Sequence, residues 1–262
     1  MRQTTLKPKE WITDDHELVA MRAAGRLVAL AHRAIKAAVT PGISTLELDA
    51  IAESVIRNGG GVPAFKGYNG FPATVCASPN EVVVHGFPNR RKLVEGDIVT
   101  LDIGAIVDGH FGDSAWTHAV GTISPEAARL LAATEAALWA GIAAARAGAR
   151  VVDISAAIED VAVAGDFGLI KDYCGHGIGR ILHGRPQILN CRMPGPSPTL
   201  VVGQGLAIEP MFTLGTDQTQ TKRDGWTVVT ADRSLAAHFE HTLLVRDGTP
   251  EVLTVLDTDE PA

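Results

Sequence analysis

The chain has 262 residues, 46% hydrophobic and only 5% aromatic, with a formal charge of −7 at pH 7 and a sequence pI near 5.7. That length admits one large domain or two small ones, with a core resting on Ala, Val, Leu and Ile. The acidic balance argues against nucleic acid as the main partner, since phosphate binding needs a basic footprint; it suits metal ions or a substrate with a positive amino terminus.

In chain order, Thr13-Asp-Asp15 starts a helix that runs to about Val39 and stops at Pro41-Gly42. Ser44-Thr-Leu-Glu47 is a capping box opening a second helix, which ends at Gly59-Gly-Gly61. Ile98 to Val107 is a β-branched, apolar strand. Asp108-Gly109 is a hairpin turn signal and His110 to Val120 returns, so Asp102 and Asp113 lie on adjacent antiparallel strands. Ser124-Pro-Glu126 opens an alanine-rich third helix ending near Ala147-Gly148. A fourth runs from near Asp153 to near Gly165. Leu206 to Leu214 and Phe239 to Val245 make a second strand pair, bearing Glu209 and Glu240. The expected organisation is a short extension over 1–12, one domain over 13–252 and a flexible tail over 253–262.

Cys76, Cys174 and Cys191 form no CxxC pair, which favours reduced, buried thiols and a cytoplasmic location. The N-terminus lacks the apolar run of a signal peptide. No uncharged apolar stretch approaches the ~20 residues of a membrane span.

The chain repeats itself once. Gly42 to Glu53 lines up with Gly148 to Glu159 at an offset of 106 (42 to 148), and Gly96 to Asp102 with Gly203 to Glu209 at an offset of 107 (102 to 209). Asp102 and Glu209 therefore hold matching places in two weak α+β repeats, about 13–121 and 122–252. Two such halves would pack about a pseudo-twofold axis, with antiparallel sheet inside, helices outside, and equivalent acids meeting at the centre.

Asp102, Asp113, Glu209 and Glu240, with His176 among glycines in Gly175-His-Gly-Ile-Gly179, stand where a bland core forbids them. An ionised carboxylate buried without a partner is very costly. Four of them with one imidazole imply compensating cations, and hard oxygen donors plus one nitrogen suit Mn, Fe, Co or Zn. A two-metal hydrolase is the first expectation. Taken alone, His176 reads equally as a turn residue, His85 and His183 as structural histidines, and Tyr68, Phe71 and Trp226 as core. His16, His32, His110, His118, His238 and His241 receive no role.

An ordered set of motifs sharpens this: Tyr68-Asn-Gly-Phe-Pro72, Asn80-Glu-Val-Val-Val-His-Gly86, Leu101-Asp-Ile-Gly104, Gly112-Asp-Ser-Ala115, Gly175-His-Gly-Ile-Gly179, Ile208-Glu-Pro-Met211, Asp224-Gly-Trp-Thr227 and Phe239-Glu-His-Thr242. From about Ile12 to Val252 the chain resembles the type I methionine aminopeptidases of bacteria, metallopeptidases of the pita-bread fold. The resemblance implies two divalent ions (Co, Mn, Fe or Zn). Asp102 would bind one, His176 and Glu209 the other, and Asp113 and Glu240 both. It implies Glu209 as general base, and His183 and His85 as substrate-contacting catalytic groups. Phe65, Tyr68, Phe71, Leu182 and Trp226 would line the methionine pocket. It also implies removal of initiator methionine before a small second residue, on nascent chains near the ribosome, by a cytoplasmic monomer.

Three departures are visible. Phe65 stands where many relatives carry cysteine, Leu182 where many carry phenylalanine, and Gly184-Arg185 replaces a common acidic pair. All three surround the substrate rather than the ligands. Little more than ten residues precede the first helix, too few for a ribosome-docking or SH3-binding arm. Prolidases and aminopeptidases P share the five ligand types but usually carry an additional domain in front. Type II methionine aminopeptidases carry a late helical insertion that the short spacings from His176 to Glu209 to Glu240 lack. A metal-free binding module predicts substituted ligands, and all five positions are intact.

Overall fold

The structure, a computed structural model, describes residue 12 and residues 14–256. Thr13, most of the expected extension and the end of the expected tail lie outside the described residues.

Four helices form where the sequence places them: α1 (Asp15–Ala38), α2 (Thr45–Asn58), α3 (Pro125–Ala144) and α4 (Val151–Gly165). Their starts obey capping chemistry. The Asp14 carboxylate accepts from the Glu17 amide at 3.0 Å. At α2 the Ser44 hydroxyl accepts from the Glu47 amide at 3.3 Å, while the Glu47 carboxylate accepts from the Ser44 amide at 2.7 Å. Helix α4 begins two residues before the expected Asp153. That carboxylate accepts from the Arg150 amide at 2.7 Å, so Asp153 closes the first turn from inside. Helix α3 ends at Ala144, short of the expected Gly148. By length and composition it is apolar enough to cross a membrane; here it packs on α4 and on the second half's strands.

The first half supplies β1 (Val62–Pro63), β2 (Val75–Pro79), β3 (Val82–Val84), β4 (Ile98–Val107) and β5 (His110–Ala119). The second supplies β6 (Gly168–Leu169), β7 (Gly175–Gly177), β8 (Gly184–Ile188), β9 (Gly205–Ile208), β10 (Met211–Thr213), β11 (Thr219–Thr221), β12 (Val228–Thr230), β13 (Ala236–His238), β14 (His241–Leu244) and β15 (Glu251–Val252). Every pairing among them is antiparallel. Strand β4 pairs with β1, β2 and β5, and a five-stranded sheet runs β15-β14-β9-β7-β8. Asp108 and Gly109, at φ 46° and 75°, make the β4–β5 turn, the left-handed pair that a two-residue hairpin needs.

The expected strand over 206–214 is broken, and the one expected over 239–245 forms only over His241–Leu244. Strands β9 and β10 are separated by Glu209-Pro210, and β13 and β14 by Phe239-Glu240. Pro210 has no amide hydrogen for a ladder, so the chain leaves one sheet there and joins another. Before the break β9 pairs with β14; after it β10 pairs with β13. Both acids occupy the corner where the two sheets part.

Two apolar cores hold the halves. Leu27, Val28, Ile35, Leu48 and Ile56 of α1 and α2 pack on Leu101 and Ile103 of β4. Leu130, Leu138, Ile154 and Ile158 of α3 and α4 pack on Leu206, Ile208 and Leu243. Hydroxyls stitch the halves between these cores. Thr242 Oγ1 accepts from the Asp113 amide at 2.9 Å and donates to the Asp113 carbonyl at 2.8 Å. Ser114 Oγ donates to the Glu240 carbonyl at 2.5 Å, and the Glu240 amide to the Ala115 carbonyl at 2.8 Å. Helix α1 lies directly on β5 because Gly112 has no side chain: a Cβ there would sit 2.6 Å from the Gly25 nitrogen.

Candidate metal centre

Strand register brings the five expected ligands together. Asp102 opposes Ala115 and Asp113 opposes Gly104, so the two acids are diagonal neighbours on one face of the β4–β5 hairpin. His241 opposes Ile208, which sets Glu240 and Glu209 at the facing ends of β14 and β9. His176 opposes Ala207, two residues from Glu209 and on the same face. Its Nε2 lies 3.7 Å from Glu209 Oε1 and 4.0 Å from Asp113 Oδ2.

Donor atoms gather in overlapping groups, each within 4.8 Å: Asp102, Asp113 and Glu240; His176, Glu209 and Glu240; Asp113, His176 and His183. Asp113, His176 and Glu240 each belong to two groups. The cluster is largely withdrawn from water, and its electrostatics follow. Burial lifts the Asp102 carboxyl to about 7. Burial first, then neighbouring carboxylate charge, lifts Asp113, Glu209 and Glu240 well above the ordinary range. Burial pulls His176 down to about 3, a neutral imidazole with a lone pair to offer. Asp102 Oδ1, Asp113 Oδ1 and Glu240 Oε1 are buried without a hydrogen-bond partner among the described residues. Crowded acid oxygens that lack donors fit multivalent cations, which remove the repulsion that protons would otherwise have to quench.

The donors floor a cavity of about 250 Å³, walled by Phe65, Tyr68, Asn69, Phe71, Cys76, Val84, His85, His183 and Trp226. His85 sits at φ 59°, in the left-handed region, its ring edge-on to Tyr173 and Trp226 at 5.7 and 6.1 Å. Burial holds His85 at about 4 and lowers His183. His183 stands at the exposed mouth, its Nδ1 3.0 Å from the Tyr68 hydroxyl. Phe71 packs on Trp226 at 5.2 Å.

Two expectations change. Leu182 does not line the cavity; it is buried behind the wall, in the apolar cluster that holds Phe65, Phe71 and Cys76. His238, given no role from sequence, does line it. Its Nε2 lies 3.7 Å from Glu209 Oε2 and 3.9 Å from Glu240 Oε2, and neither ring nitrogen has a hydrogen-bond partner among the described residues. The available signal was its place two residues before Glu240, which in extended chain puts both side chains on one face.

A doubled α+β frame with two buried acids, Asp113 and Glu240, two half-buried ones, Asp102 and Glu209, and an imidazole in one cavity defines a metal-dependent hydrolase. The chain belongs to the metallopeptidase family M24, matched over residues 19–247, and within it to the methionine aminopeptidases. It is 50% identical over 246 residues to methionine aminopeptidase 1 of Mycobacterium tuberculosis, covering 91% of this chain and 92% of that one. It is 47% identical over 238 residues to methionine aminopeptidase 1 of Bacillus subtilis, covering 91% and 96%. The methionine aminopeptidase structure from Thermotoga maritima superposes with a TM-score of 0.91 at 39% identity, covering 94% and 99%. The doubled frame is thus the pita-bread fold of this family, and the family works with divalent metal ions.

Proposed function

We propose that the protein removes the N-terminal methionine from polypeptides and peptides, preferring a small second residue, with two divalent ions drawn from Co, Mn, Fe or Zn. One domain over 13–252, in halves of about 13–121 and 122–252, carries the activity. The observation that bears the reading is the meeting of Asp102, Asp113, His176, Glu209 and Glu240 under one aromatic wall. Asp102 would hold one ion, His176 and Glu209 the other, and Asp113 and Glu240 both. When bound, the ions supply an acidified water and Lewis-acid polarisation of the scissile carbonyl, a chemistry general to two-metal hydrolases, aminopeptidases among them.

The chain's own groups do the rest. Glu209 takes the proton of the attacking water as general base. With Tyr68 donating its hydroxyl proton to His183 Nδ1, the other ring nitrogen keeps its hydrogen and points a donor at the developing oxyanion. His85, neutral and fixed by two aromatic rings, contacts the scissile amide and assists the leaving amine. The substrate's ammonium faces the acids. Phe65, Tyr68, Phe71 and Trp226 bind the thioether, which packs well on ring edges. Leu182 shapes that pocket from behind.

The same reading makes the protein a cytoplasmic monomer acting on nascent chains near the ribosome; the three free thiols support the reducing compartment alone. The deciding experiment is amino-acid release from Met-Ala-Ser, Met-Leu-Ser and Ala-Pro-Gly, with Co²⁺ or Mn²⁺ and with chelator. Metal-dependent methionine release from Met-Ala-Ser alone is expected. Cleavage only before proline moves the chain to the aminopeptidase P side. Release from none, with no ions bound, makes it a binding module.

A further inference from the structure

Behind the metal centre, on the other face of the same strands, lies a second cavity of about 540 Å³. Alternation along β5 and through Phe239 to β14 sends Asp113 and Glu240 forward, and Trp116, His118, Phe239 and His241 backward. Helix α1 closes one side with His32, Arg33 and Lys36, and α3 the other with Glu135 and Trp139. Both halves of the molecule therefore build it.

Three of the histidines without a role in the sequence meet here. His32 Nδ1, His118 Nε2 and His241 Nε2 are buried with no hydrogen-bond partner among the described residues. The polarity of His32 follows from its other nitrogen, 2.9 Å from the Ser114 carbonyl. A carbonyl only accepts, so Nε2 carries the hydrogen and Nδ1 is a bare acceptor. Burial keeps the ring neutral, at about 4. His32 Nδ1 thus offers a buried acceptor that a donor inside the cavity can answer.

The walls and rim narrow the chemistry further. His241 packs between Trp116 and Trp139, at 5.4 and 5.3 Å, and both indoles line the cavity as flat apolar surface. Arg33 and Lys36 stand exposed at the rim, with no ion pair to an acid among the described residues, against a single lining acid, Glu135. Two unpaired cations disfavour a metal ion or an organic cation and favour an anion. The three imidazole nitrogens belong to no metal-sized donor group among the described residues.

We propose that this cavity is a second binding site, separate from the metal centre, for a small aromatic acid bearing a hydroxyl. The ring lies against Trp116 and Trp139, the carboxylate meets Arg33 and Lys36, and the hydroxyl donates to His32 Nδ1. This site uses none of the residues of the peptidase reaction, so it stands or falls independently of that reading.

The test is calorimetric titration of the metal-loaded protein with 4-hydroxybenzoate, followed also by tryptophan fluorescence. Saturable binding is expected, weakened about tenfold or more by the pair Arg33→Met and Lys36→Met, which removes both charge-assisted contacts. Benzoate, which leaves His32 unanswered, is expected to bind about tenfold less well. Methionine release from Met-Ala-Ser by the double variant stays at wild-type level. Because both substituted residues are exposed, folding is preserved. Absence of saturable binding overturns the proposal. So does equal affinity in the double variant, or displacement of the acid by Met-Ala-Ser, which would place it at the metal centre.

Discussion

Glu209 and His238 show how much chemistry rests on single side chains. Glu209 is enclosed with one oxygen toward His176 and the other toward His238, at 3.7 Å each. Glu209→Gln keeps shape and volume but removes the base and a charged ligand. We expect a folded protein with kcat reduced by at least about a hundredfold, in the range general-base catalysis contributes; near wild-type turnover would refute its role. His238 touches the carboxylates from the side away from His176. Groups placed behind metal ligands typically set affinity by about ten- to a hundredfold. His238→Ala should weaken binding of Co²⁺ or Mn²⁺ by that factor in a calorimetric titration, and unchanged affinity would leave His238 as mere wall. His238 escaped the sequence reading because, unlike the acids, an imidazole in an apolar run has a cheap neutral form and raises no alarm.

At the scale of elements, capping and turn chemistry were legible because they are local. Ser44 and Glu47, Ser124 and Pro125, and Asp108-Gly109 each act within four residues, and the structure uses all of them. The break at Glu209-Pro210 was not legible as a break, since apolar character runs straight through it, and the start expected at Phe239 fell two residues before β14 begins. Both follow from which strand each piece pairs with, a long-range choice. Gly112 belongs to this scale too. It lets α1 touch β5 beside Asp113, and the Cβ of Gly112→Ala would collide with Gly25 backbone at 2.6 Å. Backbone cannot rotate aside, so the variant should lose about 1–3 kcal/mol in urea denaturation; equal stability would mean that the helix shifts freely.

For the whole molecule, the seam between halves carries both the metal centre and a pH-dependent stability term. His32 is buried in that seam and held at about 4, mainly by desolvation, against 6.5 for an ordinary histidine. Its folded value is lowered, so its contribution is fully present above 6.5 and is lost as the pH falls toward 4, where the unfolded chain binds the proton and the folded one does not. The slope is about 1.4 kcal/mol per pH unit in that window. His118, lowered to about 3 chiefly by burial and further by the charges of His32 and Lys36, acts in the same direction. His32→Gln keeps a donor for Ser114 and removes the titration. Its stability should therefore decline less steeply than wild type between pH 6.5 and 4, and parallel curves would contradict the assignment.

The chain by itself determined its helices, its β4–β5 hairpin, its internal repeat and its five costly donors, because caps, turns, periodicity and the expense of buried charge are properties of near neighbours along the sequence. Only the tertiary structure decided that Glu209 and Glu240 stand at strand corners, that Leu182 backs the pocket instead of lining it, and that His238 joins it. It also gathered His32, His118 and His241 into one cavity behind the metal centre. For His118, His238 and His241 the outcome depends on which of two faces a strand side chain takes once distant strands pair. A period of two leaves that choice open until the partner strand sets the register.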